Sequence, residues 1–139
     1  MADEPVFGEI TIRVRYAETD QMGFLHHANY LVYFEQARTE LLRDHGMTYR
    51  DMEQQGFLLV LTKIEVRYKQ PARYDDLLTI RTTVVRTTPV RIEHKYEVIR
   101  DGRVLAEGTS TLACIDREGQ IQAMPDWFLG HPIVGRKKS

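Results

Sequence analysis

What the chain lacks narrows its class before any motif is read. It holds one cysteine, Cys114, in 139 residues, so no intrachain disulfide can form and nothing points to an oxidising compartment. No apolar run is long enough to cross a bilayer, and none near the N-terminus has the character of a signal peptide. The cytoplasm is the expected location. An excess of one charge is missing too: 19 Lys and Arg stand against 20 Asp and Glu, which leaves no global field to attract nucleic acid or an anionic membrane. Any bound anion must be met locally. There is no internal repeat, low-complexity tract or Pro/Gly/Ser linker, and 139 residues with 42% hydrophobic content suffice for one core but not two. A single domain over residues 1–139 is expected, with ends at about 1–6 and 134–139 untethered.

Several kinds of chemistry are missing as well. The nearest string to a G-x-S-x-G nucleophile elbow, GTSTL from Gly108, lacks the second glycine and falls inside a predicted strand. Cys114 also falls mid-strand with no histidine near it in sequence, which reads as core filling rather than nucleophile. No phosphate loop is present. His26 and His27 are adjacent and project in different directions, and no H-x-x-x-H or cysteine cluster completes a coordination set, so neither metal nor cofactor is expected.

What is there is a clear change of period. Glu9 to Tyr16 alternates Ile10, Ile12, Val14 and Tyr16 with polar residues, the pattern of a half-buried strand. From Tyr30 the period becomes helical: Tyr30, Phe34, Ala37 and Leu41 recur with Leu31, Tyr33 and Leu42 broadening the stripe, Asn29 stands as N-cap, and Gly46 stops the helix after His45. On that helix, Glu35 and Arg38 read as an i,i+3 surface pair rather than as catalytic groups. A short second helix is predicted from a Thr48 cap to Gln55, ended by Gly56. The rest reads as strand. Val60, Thr62, Ile64, Val66 and Tyr68 are placed on one face, Lys63, Glu65, Arg67 and Lys69 on the other, with Pro71 as terminator. Further strands are predicted at about 77–88, 91–100 and 103–115, the last two joined by a type I′ turn at Asp101-Gly102. Residues 117–120, REGQ, signal another hairpin leading to a short IQAM strand. The expected class is α+β, an antiparallel sheet curved around one long amphipathic helix.

Between the two periods lies YAETDQMGFLHHANY, Tyr16 to Tyr30. Taken singly, Asp20 and Gly23 shape a turn and Asn29 caps a helix. Taken together, a strand end, a turn and a helix start bring a carboxylate close to free backbone N–H groups, which with the helix dipole stabilise charge developing on a carbonyl oxygen. That is a hydrolytic arrangement.

The run R-V-R-Y-A-E-T-D-Q-M-G-F-L-H-H-A-N-Y, Arg13 to Tyr30, resembles the signature of the 4-hydroxybenzoyl-CoA thioesterase family, and the following YFEQARTELLRDHG resembles the helix of its bacterial acyl-CoA thioesterases. The resemblance implies the hotdog fold, a homodimer or homotetramer with sites at the subunit interface, and acyl-CoA hydrolysis without a cofactor. It puts the catalytic Asp at Asp20, as nucleophile or general base, and the thioester-polarising N–H at His27. Tyr16 and Tyr30 then flank the acyl chain or position Asp20, with a plain core role as the alternative, and Gly23 and Asn29 complete the site. Phe24-Leu25 stand where smaller β-branched residues are common in the family, which bears on acyl preference. Arg67, Lys69, Arg73 and Arg91 are candidates for the coenzyme A phosphates. Acyl carrier protein is the alternative carrier. Two other functions compete: a hotdog dehydratase using His27 with Glu35, and a non-catalytic acyl-CoA-binding module that would not need Asp20.

Overall fold

A computed structural model describes residues 6–126 and 128. Five strands form one antiparallel sheet in the order β1-β3-β4-β5-β2, with β1 Phe7–Arg13, β2 Leu58–Tyr68, β3 Leu77–Thr87, β4 Arg91–Arg100 and β5 Arg103–Ile115. Helix α1, Ala28–Asp44, lies on the inner face, and the short α2, Tyr49–Gln54, follows it. The α+β expectation of one long helix against an antiparallel sheet is met. Among the described residues no helix is long and apolar enough to cross a membrane.

The local signals act as their chemistry requires. The Thr48 hydroxyl accepts the Asp51 N–H at 3.0 Å and caps α2. Asp101 and Gly102, at φ +52° and +78°, make the tight β4–β5 turn in which Arg100 pairs with Arg103. On α1, Tyr30, Tyr33, Phe34, Ala37, Leu41 and Leu42 are buried.

The inner face holds two apolar clusters. One gathers Leu41, Leu42, Met52, Val84, Ile92 and Leu112; the other gathers Val14, Tyr33, Phe34, Ile80, Val98 and Leu105. Strand register puts Thr82, His94 and Ser110 between them, where the Tyr96 hydroxyl meets Ser110 Oγ at 2.6 Å and accepts from Arg38 Nη1 at 3.3 Å. A polar layer thus crosses the core.

Several sequence expectations are corrected. β1 runs from Phe7 to Arg13 rather than from Glu9 to Tyr16, because Tyr16–Glu18 folds into a 3-10 turn. Leu31 is exposed, on the edge of the helical stripe. Asn29 is not the N-cap: His27 is, and Asn29 lies in the first turn of α1. Arg38 reaches Tyr96 instead of pairing with Glu35, and the i,i+3 ion pair of α1 is Glu40 with Arg43 at 3.2 Å. In β2 a bulge between Leu61 and Lys63 shifts the alternation, so Leu59 packs inward before it and Ile64 and Val66 after it. Val60 and Thr62 therefore do not share a face with Ile64. The REGQ turn forms, with Asp116 N–H donating to Gln120 O at 2.8 Å, but the IQAM strand reduces to one bridge, Ile115 to Ile121. The untethered ends lie outside the described residues except for Val6, which is buried and whose carbonyl accepts from Val84 N–H at 2.7 Å.

Candidate active site

After the 3-10 turn, Asp20 opens a loop that closes on itself. Its N–H donates to the Phe24 carbonyl at 2.8 Å, and its carbonyl accepts from Gly23 N–H at 3.0 Å. Gly23 sits at φ +80° with open space where a Cβ would stand, so backbone angle rather than crowding calls for glycine. Asp20 Oδ1 accepts from the Met22 and Phe24 N–H groups at 2.9 and 3.1 Å. Those two bonds fix the carboxylate plane. Among the described residues its second oxygen has no partner, and the side chain stays exposed.

The loop then feeds the helix. Leu25 bridges back to Thr19 and donates its N–H to the Ala72 carbonyl at 2.8 Å. His26 Nδ1 accepts the Ala28 N–H at 3.2 Å, and its ring does not project away from its neighbour, as expected from the sequence, but stacks on His27 with centroids 4.2 Å apart. The Asn29 and Tyr30 N–H groups bond to the His26 and His27 carbonyls at 3.0 and 3.3 Å. Of the donors at this helix start, the His27 N–H has no acceptor among the described residues. It stands at the positive end of a 17-residue helix.

Asp20 and His27 line one cleft of about 330 Å³, with Phe24, Leu25, Tyr30, Tyr68, Lys69, Gln70 and Pro71. The Tyr68 hydroxyl donates to the His27 carbonyl at 3.1 Å, and the Tyr30 and Tyr68 rings meet edge to face with centroids 5.0 Å apart. Burial pushes both hydroxyls above the usual tyrosine range, so both are neutral at physiological pH. Nearby, the 71–76 segment is pinned by Arg100, whose Nη1 reaches Asp76 Oδ2 at 2.7 Å and the Pro71 carbonyl at 3.4 Å.

Of the residues singled out in the sequence, Asp20, His27 and Tyr30 come together, while Tyr16, Gly23 and Asn29 do not line the cleft. Tyr16 is 76% exposed and meets Tyr74 edge to face, so a core role is excluded within the chain. Gly23 shapes the Asp20 loop, and Asn29 Nδ2 donates to the Glu18 carbonyl at 3.0 Å. Lys69 lines the cleft and pairs with Glu107 at 3.3 Å; Arg73 lies over the Phe24 ring, 4.7 Å from its centroid. Arg91 is remote, since its β5 partner is Ala113 whereas Tyr68 pairs with Ala106. Arg67 faces a separate open groove of about 570 Å³ on the sheet, shared with Glu65, Lys95, Glu107 and Thr109. That larger space holds neither Asp20 nor His27, and its charges of both signs suit solvent.

Sequence reasoning missed Tyr68 and Glu18. Tyr68 closes β2 some forty positions after His27, and nothing local announces the meeting. Glu18 looks like one more surface acid, yet it is buried: burial raises its pKa, but hydrogen bonds from Arg15 N–H and the Tyr33 hydroxyl and the Arg15 charge outweigh that and hold it below the usual carboxylate range.

A carboxylate with one oxygen unpartnered among the described residues, lining the same cleft as a helix-start residue whose N–H has no acceptor there, suits addition to a carbonyl. Residues 14–131 match the family model of the thioesterase-like superfamily. The chain belongs to this superfamily. As a member it resembles YneP of Bacillus subtilis, at 39% identity over 126 residues covering 86% of this chain and 91% of that one. It also resembles YbgC of Haemophilus influenzae, named as an acyl-CoA thioesterase, at 35% identity over 76% of this chain and 78% of the relative. Among solved structures, the DHNA-CoA thioesterase from Staphylococcus aureus superposes with a TM-score of 0.79 at 33% identity, covering 87% of this chain and 81% of that one. This thioesterase-like chain has the hotdog fold.

Proposed function

We propose that the protein hydrolyses the thioester of an acyl-coenzyme A to the free acid and CoA, with Asp20 as the reacting carboxylate and the His27 N–H as oxyanion donor. The observation that carries this reading is that Asp20 and His27 border one cleft, and that among the described residues one Asp20 carboxylate oxygen and the His27 N–H at the start of α1 have no partner. In one route Asp20 attacks the thioester carbonyl, the C–S bond breaks, the thiolate leaves, and water cleaves the resulting anhydride. In the other Asp20 takes a proton from water, whose oxygen attacks the same carbon. Both develop negative charge on the thioester oxygen, which the His27 N–H and the helix dipole stabilise.

Tyr30 and Tyr68 form the apolar wall of the acyl side and keep their protons. Lys69 and Arg73 lie at and beside the cleft as candidates for the CoA phosphates. A second subunit completes the site in this reading, and coenzyme A is favoured over acyl carrier protein as carrier. The dehydratase alternative fits less well: His27 is exposed and stacked on His26, and Glu35, also exposed, does not line the cleft.

The test is free-thiol release from an acyl-CoA panel by wild type, Asp20→Asn and His27→Ala. Asp20→Asn keeps shape but removes basicity, so kcat should fall by roughly 10² to 10⁴. His27→Ala keeps the amide and should lose much less. Wild-type turnover by folded Asp20→Asn would falsify the Asp20 assignment. If His27→Ala is equally damaging and abolishes an inflection in the pH–rate profile, the imidazole is acting as a base and the dehydratase-like reading gains.

A further inference from the structure

Glu18 is a buried charge that the proposed reaction does not use. It is 8% exposed, between an exposed turn and the exposed Asp20 loop. Oε1 accepts from Arg15 N–H at 2.9 Å and from the Tyr33 hydroxyl at 2.7 Å, and Oε2 accepts from Arg15 Nη2 at 3.2 Å. Its backbone carbonyl accepts twice more, from His26 N–H at 2.9 Å and from Asn29 Nδ2 at 3.0 Å. A carboxylate is seldom withdrawn from water unless its bonds are made, and here they are.

The placement of these bonds gives them a purpose. The loop that carries Asp20 leaves the 3-10 turn at Glu18 and returns to the Glu18 carbonyl at His26, one residue before His27. Tyr33 holds the same residue from the second turn of α1. The two reacting groups therefore sit at the ends of a loop whose base is clamped at one residue, and the Asp20 loop, exposed from 20 to 22, has little apolar packing of its own to hold it.

We propose that Glu18 is a positioning residue, its carboxylate setting the spacing between the Asp20 carboxylate and the His27 N–H; this rests on the reading of those two groups as the hydrolytic pair. The charge matters because three donors converge on it. A neutral amide at 18 has one acceptor oxygen and brings its own N–H donors against Arg15, so the clamp loosens while the volume stays filled. A reacting group displaced by about 1 Å costs up to ~10²-fold in rate without touching the rest of the substrate contact.

The experiment is a mutant cycle read as kcat and KM, with the unfolding midpoint of each variant measured beside it. Glu18→Gln should lower kcat by roughly tenfold or more and leave KM within about twofold, and Tyr33→Phe should act in the same direction with a smaller fall. In an Asp20→Asn background, Glu18→Gln should remove less than about another twofold, because a clamp on an absent carboxylate has little left to position. An equal factor in both backgrounds, or a lowered midpoint with unchanged kcat, assigns Glu18 to folding alone and overturns the proposal. If Asp20→Asn is crippled while Glu18→Gln is harmless, only the positioning role fails. If Asp20→Asn turns over like wild type, the hydrolytic pair fails and the positioning role with it. Should Glu18→Gln not fold, Tyr33→Phe, which keeps the charge, carries the same cycle.

Discussion

His94, in the polar layer of the core, is 3% exposed, and its Nδ1 has no partner among the described residues. Burial, helped by the Arg38 charge, lowers its pKa from 6.5 to about 3. The folded state therefore holds a neutral imidazole where the unfolded chain takes a proton below pH 6.5. Stability is unaffected by this group above that value and declines as pH falls from 6.5 toward 3. Glu18 has the same sign lower down: its depressed pKa contributes stability above the ordinary carboxylate value of 4.5 that is lost as pH falls through the folded value. Between pH 4.5 and 6.5 the His94 effect stands apart from that of Glu18. The melting temperature of wild type should fall across that window, and His94→Leu, which cannot take up a proton, should flatten the slope when both are followed by circular dichroism. Equal slopes would mean that His94 is protonated without cost. Neither property was legible in the sequence, since His94 sits in an alternating strand and Glu18 in a polar turn, and only burial separates them from solvated neighbours.

At the scale of elements, Phe34 of α1 lies directly on Gly108 of β5. A Cβ at 108 would stand 2.6 Å from Phe34 Cε2 and 3.1 Å from the Glu65 carbonyl, one of them backbone that has little room to yield. Phe34 is itself pinned by stacking on Tyr96 at 4.3 Å. Gly108→Ala should then destabilise by about 1–3 kcal/mol, read from denaturant midpoints with m unchanged. A neutral result would show that the helix can lift off the sheet without loss. The helix stripe and strands β3, β4 and β5 were readable because each runs for ten residues or more. The bulge at Thr62 was not, because one extra residue reverses the inward face of β2 without changing its composition.

For the whole molecule, β1 and β2 are the two edges of the sheet, and β2 offers eleven residues of edge. Leu61 on that edge strand is 44% exposed, as are Leu31 at 36% and Val32 at 48% on α1. An edge of this length, together with exposed apolar side chains on β2 and α1, favours pairing with another copy. Sedimentation at micromolar concentration is expected to give a dimer or tetramer, with activity lost as dilution separates the subunits. An active monomer throughout that range would remove the shared-interface site.

Residue order alone determined the number and type of the main elements, the I′ turn at Asp101-Gly102, the α2 cap at Thr48 and the concentration of polar chemistry between Tyr16 and Tyr30, because each depends on side chains a few positions apart. It also carried the family resemblance, which is a property of a contiguous string. Tertiary structure decided what those local signals could not: that Asn29 binds the Glu18 carbonyl instead of capping α1, that Tyr16 faces solvent, that Tyr68 comes from the far end of β2 to the His27 carbonyl, and that Glu18 is buried. The physical reason is common to all four. Burial and hydrogen-bond partnership are set by which distant segments share a volume, and the free energy of a buried carboxylate or a tyrosine hydroxyl depends on partners that the residues beside it in sequence do not name.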